Sequence, residues 1–174
     1  MKLNRVPQTL ALMSIALGLV LGALTQAQST GPLSGMKYKI IEGWDQGSLN
    51  SHGDNWTFEK GVDLPQGRIL NRFYIDVLPS TDPTTAAEYA ASLKQENSQY
   101  YGAVYSEITE TSEIPGGFMI KGRVKDLSEP AADPTFGVTI VREIGGVKIR
   151  CASAVLSTEA LRDEAIAICQ SAAL

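Results

Sequence analysis

The chain has 174 residues, of which 44% are hydrophobic and 20% charged, with a formal net charge of −4. That is room for one globular domain with a sizeable core, and it excludes a disordered tail or a fibrous chain. An acidic chain without an Arg/Lys-rich run is a poor partner for nucleic acid, because phosphate neutralisation supplies most non-specific affinity.

Residues 1–27 read as a secretory signal peptide. Lys2 and Arg5 precede an uncharged apolar run, Leu10 to Leu24, and Thr25-Gln-Ala27 offers small residues at a cleavage site. The run falls short of the roughly 20 apolar residues that span a bilayer, and polar Gln26, Gln28 and Ser29 follow at once. Cleavage is therefore expected ahead of retention as an anchor, leaving a periplasmic or secreted protein that does not span the membrane. No cysteine follows the run, which closes the bacterial lipoprotein route. Losing Lys2 and Arg5 takes Lys+Arg from 15 to 13 against 19 Asp+Glu, a net of −6. Residues 28–35, rich in Gly, Pro and Ser, read as a flexible leader, and residues 36–174 as one α+β domain.

Lys37 to Ile41 is a short strand candidate. Gly43 to Asn55 (GWDQGSLNSHGDN) has no period and many turn formers, the pattern of a long loop. Trp56 to Glu59 is a second short strand, and Asn55-Trp-Thr57 is a glycosylation sequon of use only in a eukaryotic secretory pathway. Arg68 to Leu78 alternates over its length: Ile69, Phe73, Ile75 and Val77 share one face, interrupted only by Asn71, and Arg68, Arg72, Tyr74 and Asp76 share the other. Period 2 predicts a half-buried strand. Asp82-Pro83 offers an N-cap and first helical residue for a helix with Ala86, Tyr89, Ala90 and Leu93 on one stripe.

Four strands follow: Ala103 to Thr109, Phe118 to Lys125, Phe136 to Ile144 and Val147 to Val155. Pro115-Gly-Gly117 and Gly145-Gly146 mark hairpin turns, so the set predicts an antiparallel meander. Thr158 to Ala172 closes the chain as a helix, with Ser157 as N-cap and Leu156 and Leu161 placed as a hydrophobic staple. Cys151 and Cys169, the only two cysteines, both fall on core-facing positions. In an oxidising compartment they should pair, stapling the last helix to its neighbouring strand. No Cys-x-x-Cys spacing supports a redox role.

The order of elements, with Tyr38-Lys-Ile-Ile-Glu-Gly-Trp44, Phe73-Tyr-Ile-Asp-Val77, Ala86-Ala-Glu-Tyr89 and Gly116-Gly-Phe118, resembles the PsbP-like group, whose bacterial envelope relatives include the DcrB type. The resemblance implies an antiparallel sheet sandwiched by helices on both faces, an α/β/α sandwich, and a non-catalytic accessory or binding role. It does not carry the disulfide, which rests on this sequence alone.

Candidate chemistry is sparse. No nucleophile elbow, zinc-protease motif, phosphate loop or dinucleotide fingerprint occurs, so no catalytic residue and no cofactor are assigned. His52, the only histidine, lies in the 43–55 loop beside Asp45 and Asp54 without a metal-ligand spacing. It reads as a surface residue; with Trp44 and Trp56 it marks an interface loop. The carboxylates Asp45, Asp54, Asp63 and Asp76 offer no spacing that singles out a catalytic pair. Lys121, Arg123 and Lys125 alternate with Ile120 and Val124, and Lys148 and Arg150 with Ile149 and Cys151. These five basic residues predict one basic sheet face, a site for an acidic partner or an anionic ligand, or else an ordinary solvated face balanced by Glu107 and Glu143. Trp44, Trp56, Tyr100, Tyr101 and Tyr105 form an aromatic set that rims an interface or closes one end of the core.

The expectation is a non-enzymatic binding or accessory protein of the cell envelope with a protein partner. The alternatives are a periplasmic immunity protein against a toxin, an enzyme built on the 43–55 loop and His52, and a small apolar ligand carrier with a cavity between sheet and helix.

Overall fold

The computed structural model describes residues 31–65, 67–79, 85–94, 103–126 and 134–174; the expected signal peptide, Asp82-Pro83, Tyr100 and Tyr101 lie outside them. Among the described residues a seven-stranded antiparallel sheet carries two helices. In chain order the elements are β1 (Asp45–Leu49), β2 (Asn55–Leu64), β3 (Gly67–Val77), α1 (Ala86–Leu93), β4 (Ala103–Ile114), β5 (Gly117–Asp126), β6 (Thr135–Ile144), β7 (Val147–Val155) and α2 (Glu159–Gln170). The spatial order β1-β2-β3-β7-β6-β5-β4 joins two meanders, β1–β3 and β4–β7, along a β3–β7 seam.

The hairpins follow their turn residues. Ile144 pairs with Val147 across Gly145-Gly146, whose φ values of 58° and 80° suit the tight two-residue loop of right-twisted strands. Ile114 pairs with Gly117 across Pro115-Gly116, with proline presetting the first central position and Gly116 at φ 78° filling the second.

Each face of the sheet has its own core. One gathers Phe58, Phe73, Ile75, Ile140, Ile149 and Leu156 under the α2 residues Leu161, Ala165, Ile168 and Cys169. Here Phe58 and Phe73 stack at 4.6 Å, and the Trp44 ring meets Phe73 edge-on at 5.1 Å. The other gathers Phe118, Ile120, Val124 and Val141 under Ala86, Tyr89 and Leu93 of α1. Tyr105 lies in this second core over the facing pair Gly122 and Gly137; a Cβ on Gly122 would come within 2.8 Å of its ring. The two glycines leave the depth that the ring fills.

Cys151 and Cys169 are disulfide-bonded with Cα atoms 6.2 Å apart, fixing α2 to β7 as expected. On the opposite face of the seam Arg150 donates to Asp76 through Nε (3.0 Å) and Nη2, and through Nη1 to the Tyr89 hydroxyl at 2.9 Å. Arg150 is 4% exposed. Burial raises the Asp76 carboxyl above its ordinary range, opposed by its hydrogen bonds and charge contact with Arg150. Asn71, the one polar residue on the apolar face of β3, is fully buried. It donates to the Lys60 carbonyl and accepts from the Ser157 amide at 2.7 Å, fixing the chain just before α2.

Several expected boundaries move. Over residues 31–35 the leader is part of the domain: Leu33 is buried in the core and its amide donates to the Gly53 carbonyl. Lys37 to Ile41 is not a strand; it holds one isolated bridge, Lys37 to Ala173. The 43–55 loop contains β1, and β2 runs to Leu64, well past Glu59. The N-cap of α1 is Thr85, whose hydroxyl accepts from the Glu88 amide, and that of α2 is Thr158, one residue beyond Ser157. Leu156 therefore stands two residues before the cap, outside the staple position, and is buried in the core instead.

Replacing both Cys151 and Cys169 by serine is expected to cost about 2–4 kcal/mol in denaturant unfolding; unchanged stability would show that the staple adds nothing. Arg150→Met strands Asp76 in the interior and is expected to cost about 3–5 kcal/mol, part of it recovered by adding Asp76→Asn.

Candidate functional site

Alternation in β5 sends Phe118, Ile120 and Val124 to the α1 side and Met119, Lys121 and Arg123 to the α2 side. On that side α2 reaches β3, β7 and β6. Beyond its cover β5 changes from apolar Met119 to charged Lys121 and Arg123, the composition of a face in contact with water. The result is a groove of about 310 Å³ lined by Thr109 and Glu110 of β4, Lys121, Gly122 and Arg123 of β5, Phe136 of β6, and Glu159 and Arg162 of α2.

Three cations converge on it. Lys121 Nζ is 3.0 Å from Glu110 Oε2, and the hydrogen bond from Lys121 holds the Glu110 carboxyl below its usual range. The Arg123 guanidinium lies over the Phe136 ring, 4.2 Å from its centroid, and Arg162 is 5.6 Å from the same centroid. Arg162 is 12% exposed; its contacts with Glu159 and Asp163 are long, at 3.5 and 3.6 Å, and its buried Nε has no hydrogen-bond partner. Charge-assisted N–H···O bonds are about 2.7–2.9 Å, so both contacts are loose.

The expected five-residue basic face is corrected by the register. Lys121 and Arg123 stand opposite Val138 and Phe136 on the α2 side, and Lys125 continues their alternation. Arg150 stands opposite Val141, and Lys148 opposite Glu143, on the α1 side. The prediction took the apolar residues of β5 and β7 to face one core, whereas Ile120 and Val124 face α1 while Ile149 and Cys151 face α2. Arg150 is moreover buried in its pair with Asp76. What remains of the basic face gains Arg162, which strand alternation had no means of reaching because it arrives from α2.

The 43–55 segment does not present its residues together. Trp44 is buried, with Nε1 donating to Glu164 Oε2 at 2.7 Å. Asp45 is exposed on β1, His52 is exposed in the turn before Gly53, and Asp54 Oδ1 accepts from the Asn50 side-chain Nδ2 at 2.6 Å. Trp56 is half-buried, and its Nε1 is enclosed without a partner. Trp44 and Tyr105 belong to opposite cores, which divides the aromatic set. Among the described residues no group of three or more His, Cys, Asp or Glu side chains has metal-binding geometry, and no helix is long and apolar enough to cross a membrane.

A larger hollow, about 650 Å³, lies at the sheet end by Gly116 and Gly146, with Leu78, Phe118 and Val141 on its walls and Glu143 and Lys148 beside them. None of its described lining residues belongs to a helix, whereas a hollow of about 580 Å³ lies between α1 and β4, lined by Ala87, Ala90, Ala91, Lys94, Ile108 and Thr111. A scan against protein-family models and a search of curated proteins both return no match.

His52→Ala is expected to leave unfolding free energy within about 0.5 kcal/mol of the parent; a larger loss would mean that the turn carries an interaction beyond its backbone.

Proposed function

We propose that this chain is a non-enzymatic binding or accessory protein of the cell envelope, secreted or periplasmic, that engages a protein partner through the groove between β4–β6 and the start of α2. The observation that carries the reading is the convergence of Lys121, Arg123 and Arg162 around Phe136 on a chain that is acidic as a whole. Such a patch orients an acidic partner during encounter, and an aromatic ring beside arginines supplies the contact area that concentrates binding energy. The disulfide supports an oxidising compartment, in keeping with the signal-peptide pattern of residues 1–27. The resemblance to the PsbP-like group agrees with a helix on each face of an antiparallel sheet and adds its accessory role as a fold-level analogy.

The test is capture from the envelope fraction with the tagged, processed protein, alongside Arg123→Glu and, as a control remote in charge pattern, Lys39→Glu. A stoichiometric protein is expected with the parent and with Lys39→Glu, reduced at least about tenfold by Arg123→Glu. No protein captured by the parent, or equal capture by Arg123→Glu, sinks the reading.

A further inference from the structure

We infer that the groove binds one carboxylate group of a peptide, with Arg123 and Arg162 as its hydrogen-bond donors and Lys121 as the neighbouring charge. The inference rests on the binding reading above and names the chemistry recognised.

The charge of the lining sets the valence of the ligand. Lys121, Arg123 and Arg162 contribute three positive charges and Glu110 and Glu159 two negative ones, so the lining carries a net charge of about +1 at neutral pH. A carboxylate neutralises that excess; a phosphate dianion overshoots it and meets repulsion from the two glutamates.

Donors are also available. Among the described residues Arg123 makes no carboxylate contact: its Cζ lies over the Phe136 ring, 4.2 Å from the centroid, and a guanidinium held on a ring in this way still has N–H groups to offer a two-oxygen anion. Arg162 is held nearly out of water, yet its Nε has no hydrogen-bond partner, its Nη2 donates to Glu159 only through a long bond of 3.5 Å, and Asp163 stands 3.6 Å from Nε. A buried donor left in that condition is desolvated without compensation until a partner arrives. Glu159, its nearer contact, is 65% exposed and can swing into solvent when a ligand carboxylate takes its place. Glu110 on Lys121 demonstrates that a carboxylate fits the site at 3.0 Å. The arrangement is therefore a carboxylate site with an internal carboxylate loosely in attendance, and the about 310 Å³ hollow admits a side chain or a chain end rather than a folded surface.

The source of the carboxylate is an acidic side chain or a peptide C-terminus, and small probes separate them. Isotope-labelled protein is titrated, with backbone amide shifts followed at Gly122, Arg123, Phe136 and Arg162. The probes are a doubly blocked alanine–glutamate–alanine peptide, an acetylated trialanine with a free C-terminus, its amide, and inorganic phosphate, all at matched ionic strength. Saturable shifts with either carboxylate peptide, and none with the amide, are expected. Response to the first assigns side-chain recognition, and response to the second assigns chain-end recognition. Arg123→Gln and Arg162→Gln should each weaken Kd at least about tenfold. If Arg162→Gln folds poorly, Arg123→Gln at its half-buried strand position carries the comparison alone.

No saturable shift with either peptide, equal response to the amide, tighter binding of phosphate, or Kd unchanged in Arg123→Gln overturns the inference. The two proposals fail separately. A stoichiometric envelope partner whose capture falls on Arg123→Glu, together with no carboxylate response, ends this inference and keeps the binding reading. Saturable carboxylate binding by a protein that captures no envelope partner does the reverse.

Discussion

Two consecutive residues of β7 hold the molecule together by pointing in opposite directions. Arg150 reaches to the α1 side, where it grips Asp76 of β3 and the hydroxyl of Tyr89. Cys151 reaches to the α2 side, where it is bonded to Cys169. Both lie on the seam that joins the two meanders, opposite Asp76 and Ile75 respectively. A single register thus fixes three things at once: the alignment of the two halves of the sheet and the seat of each helix. A slip of one residue along this seam would send the guanidinium into the aromatic core and the thiol to the other face. The buried ion pair contributes specificity of register more than net stability, because the cost of desolvating both charges consumes much of their attraction.

The groove depends on that seat. Arg162 lies one turn into α2, and its place over β5 and β6 is set by how the helix is anchored. Asn71 holds the approach to the N-terminus through the Ser157 amide, Cys169 holds the last turn, and Glu164 bonds both Trp44 and Lys60 at 2.7 Å. These anchors come from β3, β7, the segment before β1, and β2. The arginine therefore meets Arg123 and Phe136 from a helix pinned along its length, which is the condition for a preorganised binding site.

Sequence pattern and structure agree where local chemistry decides. The alternation of β3, the turn residues of the β4–β7 hairpins, the stripe of α1 and the pairing of the two cysteines were all legible. β1 was not, because Asp-Gln-Gly-Ser-Leu has neither apolar alternation nor β propensity; it is a strand through its backbone pairing with β2. The continuation of β2 was hidden by Gly61 and by the exchange of charged and apolar residues around it. Asn71 looked like a flaw in an apolar face, although its side chain makes the hydrogen bonds that steer the chain into α2. The deeper failure concerned sides. Alternation reports that neighbouring residues face opposite ways, and it is blind to which way is which when both faces carry a core. Lys121 and Arg150 were placed together for that reason, and Arg162 was missed because its partner ring and Arg123 reach it only through tertiary packing.

The topology also dictates an order of assembly. The strand at the centre of the sheet is the last one in the chain, so the first meander has nothing to pair with along β3 until β7 has been made and delivered. A chain that emerges N-terminus first must hold Phe73 and Ile75 on an open edge throughout that interval. Non-local pairing of this kind folds slowly and leaves an aggregation-prone intermediate. The sheet cannot close before its last strand is made, and the only two thiols of the sequence can meet only after the final helix has followed it.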